Sequence, residues 1–231
     1  MILNFHTMKI INLLIVCTMM VFSCHISSAF EVLNGEIIEI TGPDDLELDP
    51  SNTVLAVDVF GNGDSVINDV EFFTDRAGLG AQVTGEGIVE KDGVSITTTA
   101  TNTIDNWANA QTFTGSDADS TFNLSEVMRD IRWSAAPNPL TIDIAGLNSG
   151  GIYNLKLLFN EGADRDRGWD ITSNGEIIVD NITSEGGDGF WSPENTFVYS
   201  GDLTADEDGN IAIEMRNDIG GEPQISSDGN P

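Results

Sequence analysis

Two stretches, one rich in glycine and one carrying paired asparagines, hold the side chains best suited to recognition chemistry. "GGDGFWSPEN" (186–195) sets Trp191 beside Phe190, with Asp188, Glu194 and Asn195 close by. "IDNWANA" (104–110) sets Trp107 between Asn106 and Asn109. An indole stacks on the weakly polar C–H face of a sugar ring, while carboxylate and amide groups meet its hydroxyls. The predicted ligand contacts are therefore Trp191, Asp188, Asn195, Trp107 and Asn106, and the predicted ligand is a carbohydrate or cell-surface glycan. Each has a plainer alternative, an aromatic packed into the core or a corner of the fold. Trp133 and Trp169 fit that alternative better than a ligand role.

Oxygen ligands offer a second chemistry. "DEDGN" (206–210) places Asp206, Asp208 and Asn210 at alternate positions, with Glu214 beyond. A calcium loop of the EF-hand type wants its glycine sixth and its glutamate twelfth, whereas here they fall fourth and ninth. A polar hairpin turn is the competing reading. "GSDADS" (115–120) offers Asp117 and Asp119 in the same way. A structural calcium is thus the single candidate cofactor.

Much other chemistry is excluded by composition. The only cysteines are Cys17 and Cys24 and the only histidines His6 and His25, all near the N-terminus. Beyond them the chain has no histidine base, no Ser-His-Asp or Cys-His nucleophile, no thiolate or imidazole zinc site and no disulfide. A glycosidase working through two carboxyl groups stays conceivable. With 38 acidic residues, however, chance pairs are common, and the chain is read as a non-enzyme.

Lys9 followed by "IINLLIVCTMMVF" and "SSAF" has the form of an export signal over residues 1–29, with Ser27 and Ala29 as the small residues before cleavage. "VFSC" (21–24) reads alternatively as a lipobox whose Cys24 is acylated and tethers the protein to a membrane. Either way the protein is expected outside the cytoplasm, secreted or at the cell surface. Against the 38 acidic residues stand 9 basic ones, a net charge of −29, with no basic stripe. Nucleic acid, which needs clustered Lys and Arg, is excluded as a partner.

These candidate residues need elements to position them. Residues 30–52 read as an acidic lead-in, a short strand and then a linker, and residues 53–231 as one β-sandwich domain. Apolar alternation marks strands at 53–61, 69–75, 93–104, 140–147, 151–161, 167–182, 195–204 and 210–218, separated by Gly- and Asn-rich turns. Asn174-Gly175 predicts a type I′ hairpin, since both central residues of that turn need positive φ. One short helix is predicted near 124–133, with Leu124, Val127, Met128 and Ile131 on one face and Asn123 as cap, stopped by Pro137 and Pro139. Many short strands and a single helix imply an all-β antiparallel sandwich, jelly-roll-like, of about 8–10 strands.

Across 140–182 the chain resembles the malectin-like, galactose-binding-like β-sandwiches of secreted bacterial proteins. The shared pattern is a Tyr-bearing strand ending in Phe-x-Glu, a loop, then Arg-x-x-Asp-(Ile/Val)-x-x-Asn-Gly. Here these are Tyr153, Phe159, Glu161, Arg167, Asp170, Ile171, Asn174 and Gly175. The resemblance implies a non-catalytic sandwich that binds sugar through loops at one end, with Arg167 and Asp170 serving the framework. It also implies a closing apolar strand after an Asn-Pro. Asn230-Pro231 are the last two residues, so a fragment, further domains beyond residue 231, or an open sheet edge is expected.

The charged stretch "ADRDRGW" (163–169) is read as a sheet corner whose alternating charges neutralise one another. The functional expectation is a secreted or surface-attached carbohydrate-binding module. A structural or adhesive envelope protein contacting protein is the alternative, and a carboxylate-based glycosidase the third.

Overall fold

The computed structural model describes residues 31–76, 85–104, 106, 112–135, 137–160, 168–183 and 196–216. They form β1 (Glu31–Val32), β2 (Glu36–Ile40), β3 (Ala56–Asp58), β4 (Ser65–Ile67), β5 (Val70–Thr74), β6 (Gly85–Lys91), β7 (Val94–Ala100) and β8 (Asn102–Ile104). Helix α1 (Ala118–Val127) follows, then β9 (Ile131–Trp133), β10 (Leu140–Ala145), β11 (Ile152–Asn160), β12 (Gly168–Ser173), β13 (Glu176–Thr183), β14 (Thr196–Thr204) and β15 (Ile211–Arg216). The all-β expectation is met. The strands are more numerous than expected because several are only two or three residues long.

Seven strands form one sheet in the order β1-β13-β12-β15-β10-β7-β6, and three form a second in the order β11-β14-β2. All pairs within these two sheets are antiparallel. Their facing sides share a core that includes Ile171, Val179, Ile182, Phe197, Tyr199, Leu203, Ile211 and Ile213. Period-2 side-chain alternation sends one row of each strand into that core.

The three-stranded sheet is also covered on its other side. Val198, Ile40 and Leu158 pack with Leu46, Ile67, Phe72, Leu124, Val127 and Met128 in a second core. That core lies under α1, a 3-10 turn at Pro43–Leu46 and the small sheet β3-β5-β4. Buried on both faces, β14 has no wet side over Thr196–Gly201, which is why "TFVYSG" lacks the charge alternation of an exposed strand.

The acidic lead-in belongs to the sandwich. β1 pairs with β13 and β2 pairs with β14, so residues 31–40 contribute one strand to each layer.

Three two-residue hairpins have positive φ at both central positions: Asn68-Asp69, Asp92-Gly93 and Asn174-Gly175. This is the type I′ geometry expected at Asn174-Gly175. The turns 92–93, 148–151, 174–175 and 206–209 gather at one end of the sandwich. There the Leu147 N–H donates to Gly209 O at 3.0 Å, Asn174 N–H to Ala212 O at 2.8 Å and Gly150 N–H to Ala205 O at 3.1 Å.

The helix starts and stops earlier than the 124–133 expected. Asp117, not Asn123, is its cap: the Asp117 carboxylate accepts the N–H groups of Asp119 and Ser120 at 3.0 and 3.2 Å. Asn123 lies inside the helix, and its amide donates to Val66 O. Leu124, Val127 and Met128 are buried as expected, but Ile131 begins a strand. Asp117→Ala leaves two helix N–H groups without that partner, and a loss of about 1 kcal/mol is expected in urea titration followed by tryptophan fluorescence. An unchanged midpoint would contradict the cap.

Candidate functional site

The opposite end of the sandwich carries the long connections. Residues 161–167 join Asn160 of β11 to Gly168 of β12, and residues 184–195 join Thr183 of β13 to Thr196 of β14. Asn160 pairs with Thr196, and Gly168 with Thr183, so both connections leave from the same end. The stretch 107–111 returns to the described chain there too: the Thr114 N–H donates to Thr41 O at 2.8 Å, next to Ile40, which pairs with Thr196.

Trp191, Asp188, Asn195 and Trp107 lie outside the described residues, as do Cys24, Glu161 and Asp164–Arg167. Asn106 is described. It is exposed, adopts a left-handed backbone (φ 54°), and donates its N–H to Asp130 Oδ1 at 2.7 Å. Trp169 is buried and tilts against Phe159, with ring centroids 6.1 Å apart, a packing role. Trp133 is half-buried.

The Asp206–Asn210 turn is tied up in its own backbone. Asp206 Oδ1 accepts the N–H groups of Asp208 at 2.9 Å and Asn210 at 2.8 Å, as a hairpin turn requires. Asp117 is likewise engaged as the helix cap. Among the described residues no group of three or more acidic side chains is placed to hold a metal ion. The geometry at 206–210 therefore favours the turn over calcium.

A charged cluster that the sequence did not signal lies between the sheets. Asp75 follows β5, and Arg132 on β9 grips it through Nε–Oδ2 at 2.7 Å and Nη2–Oδ1 at 3.1 Å. Both side chains are almost fully buried. Asp75 also accepts the Phe60 N–H at 2.6 Å and the Thr98 hydroxyl. Phe60 is buried with a left-handed backbone (φ 63°), a conformation costing about 1–2 kcal/mol, which its bond to Asp75 and the Arg76 and Arg132 guanidiniums over its ring offset. Gly87 must be glycine, because a Cβ there would collide with Arg132 Nη2 and the Asp75 carboxylate.

Three more carboxylates, Asp58, Asp130 and Asp64, sit nearby. Asp58 is buried, its Oδ1 has no hydrogen-bond partner among the described residues, and burial together with the charges of Asp130, Asp75 and Asp64 pushes its pKa up to about 8. A raised pKa and a buried acid cluster can mark catalysis. Here Asp75 is consumed by Arg132, and the bonds described so far serve to hold β5, β7 and β9 together.

Among the described residues a hollow of about 1060 Å³ borders the whole of β11 from Ile152 to Phe159. Its floor is the inner face of β7 and β10, with Val94, Ile96, Ile142 and Ile144, and its far wall is the stretch 52–57. A scan against protein-family models and searches of curated proteins and of solved structures find no match to this chain.

Proposed function

We propose that the chain is a non-catalytic carbohydrate-binding module of the malectin-like, galactose-binding-like kind, exported or tethered outside the cell. Sugar is held at the long-connection end by Trp191 and Trp107, with Asp188, Asn195 and Asn106 meeting the hydroxyls. One observation carries this reading. The described chain that follows 107–111 and the chain that follows 184–195 meet at a single end of a β-sandwich, Thr114 through Thr41 and Thr196 through its pair Ile40, which supports a shared role for the two tryptophan-bearing stretches.

The test is a glycan array with the full chain, followed by calorimetric titration of the best ligand. Trp191→Ala is expected to weaken binding about tenfold to a hundredfold, the loss typical of a central aromatic contact. Wild-type protein that binds no glycan at millimolar concentration would overturn the proposal. So would Trp191→Ala and Trp107→Ala variants that both bind as tightly as wild type. The second reading, an adhesive module that contacts protein, draws its support from a different feature, the open side of β11.

A further inference from the structure

We propose that the hollow beside β11 is a slot for one extended strand from a separate polypeptide, apolar on one face and carrying Lys or Arg residues. The strand adds to the three-stranded sheet by pairing with the free edge of β11. This goes beyond the sugar reading and uses a different part of the molecule.

The first observation is the edge itself. β11 pairs with β14 in unbroken register from Ile152↔Thr204 to Asn160↔Thr196. Among the described residues it has no hydrogen-bonded neighbour on its other side. A nine-residue strand spans roughly 30 Å, and among the described residues its Ile152–Leu158 stretch has a row of backbone donors and acceptors with no strand beside it.

The second is where the hollow lies relative to that edge. Every residue from Ile152 to Phe159 borders it, inward- and outward-pointing side chains alike, whereas no residue of β14 or β2 does. A cavity over the face of a strand touches alternate residues. One touching all of them runs along the edge. The opposite wall, 52–57, is likewise continuous. The space therefore runs lengthwise between two stretches of backbone, above the inner face of the larger sheet.

The third is what the floor leaves uncovered. Val94, Ile96 and Ile142 point to the core side yet stay only half-buried. Leu155 and Leu158 on β11 are half-buried too, and Ile152 is 71% exposed at the mouth. Three strands cover only part of a seven-stranded sheet, and a fourth beside β11 would seal these side chains. Strand addition supplies affinity through main-chain bonds and selectivity through alternate side chains.

Charge selects the occupant. Glu47, Asp49 and Asp130 border the slot; of its two cations, Arg132 is committed to Asp75 and Lys156 donates to Ser200 Oγ at 3.2 Å. With a net charge of −29, a second copy of this chain is repelled and a cationic segment is drawn in.

The experiment uses the full chain and three nine-residue peptides: alternating valine and lysine, the same with a central proline, and alternating valine and glutamate. Binding is followed by fluorescence anisotropy and by hydrogen exchange of the amides of Ile152–Leu158. The valine–lysine peptide is expected to bind and to slow exchange at those β11 amides that point away from β14. The proline peptide, which breaks the ladder, and the glutamate peptide should each bind at least about tenfold more weakly. Ile96→Asp, which places a carboxylate on the half-buried floor, should also weaken uptake while leaving the circular dichroism spectrum unchanged. Equal binding of all three peptides overturns the proposal, because adsorption then lacks strand pairing. Amides already protected without peptide overturn it as well, because the slot is then filled by the chain itself or by a second copy. Uptake of decanoate with no response to any peptide assigns the slot to an apolar small molecule and likewise overturns it.

Discussion

Replacing Arg132 with methionine is expected to lower the free energy of unfolding by about 3–5 kcal/mol, the usual cost of removing one partner from a buried ion pair. The reason is local. Asp75 accepts two guanidinium N–H groups along with the Phe60 N–H and the Thr98 hydroxyl. Without the guanidinium, an almost fully buried carboxylate keeps its charge with no cation in contact, or takes up a proton. Methionine fills much the same volume, so the loss reports on charge rather than on a cavity. Pairing the change with Asp75→Leu removes both charges and is expected to recover most of the loss. Urea denaturation of the two variants against wild type decides the matter. A loss below about 1 kcal/mol for Arg132→Met would mean that the pair does not hold β5 to β9.

The second large effect depends on pH. Asp58 titrates near 3.8 in the unfolded chain and near 8 in the folded one. Between those values the folded state keeps a proton that the unfolded state has lost, so raising the pH favours unfolding. The contribution from Asp58 is fully present below about pH 4 and gone once the pH has risen through about 8. Asp58→Asn removes the charge that burial, Asp130, Asp75 and Asp64 oppose. The variant should match wild type near about pH 4 and exceed it by up to about 5 kcal/mol near pH 9. Asp45 acts in the opposite sense. Hydrogen bonds from the Thr41 N–H and hydroxyl lower its pKa, so its stabilisation is present above about pH 4 and is lost as the pH falls through the lowered value. Stability curves measured across this range should therefore slope downward above about pH 4 in wild type and flatten in Asp58→Asn. Parallel curves would show that Asp58 is not the group responsible.

What the sequence disclosed was mostly local. β10, β12, β13 and β15 were legible because apolar alternation is bounded by Gly-rich turns, and Asn174-Gly175 names its own turn type. The helix was found but set too far along. Its apolar stripe runs on through Met128 into Ile131, past the end of the helix at Val127, while the true cap is a carboxylate six residues before Asn123. The Asp58–Asp75–Asp130–Arg132 cluster could not be seen in advance. Its members come from three separate segments, and no spacing rule links acids that meet only once three sheets are assembled. β14 was legible at 195–204 as well, but its burial on the second face was not, although a strand covered on both faces lacks a wet side. The open side of β11 is invisible to any pattern along the chain, since an edge is defined by a neighbour that is not there.

The first two strands have a consequence for how the molecule is made. Glu31–Val32 finds its partner near residue 180 and Glu36–Ile40 near residue 200, so the earliest stretch of the described chain cannot settle until strands more than 140 residues later have arrived. Hairpins such as 92–93 can close early, but each layer waits for an end-to-end encounter, and pairing over such separations is slow. A polypeptide wired this way stays pliable while it is being synthesised, and locks only when the stretch around residue 200 is free to pair.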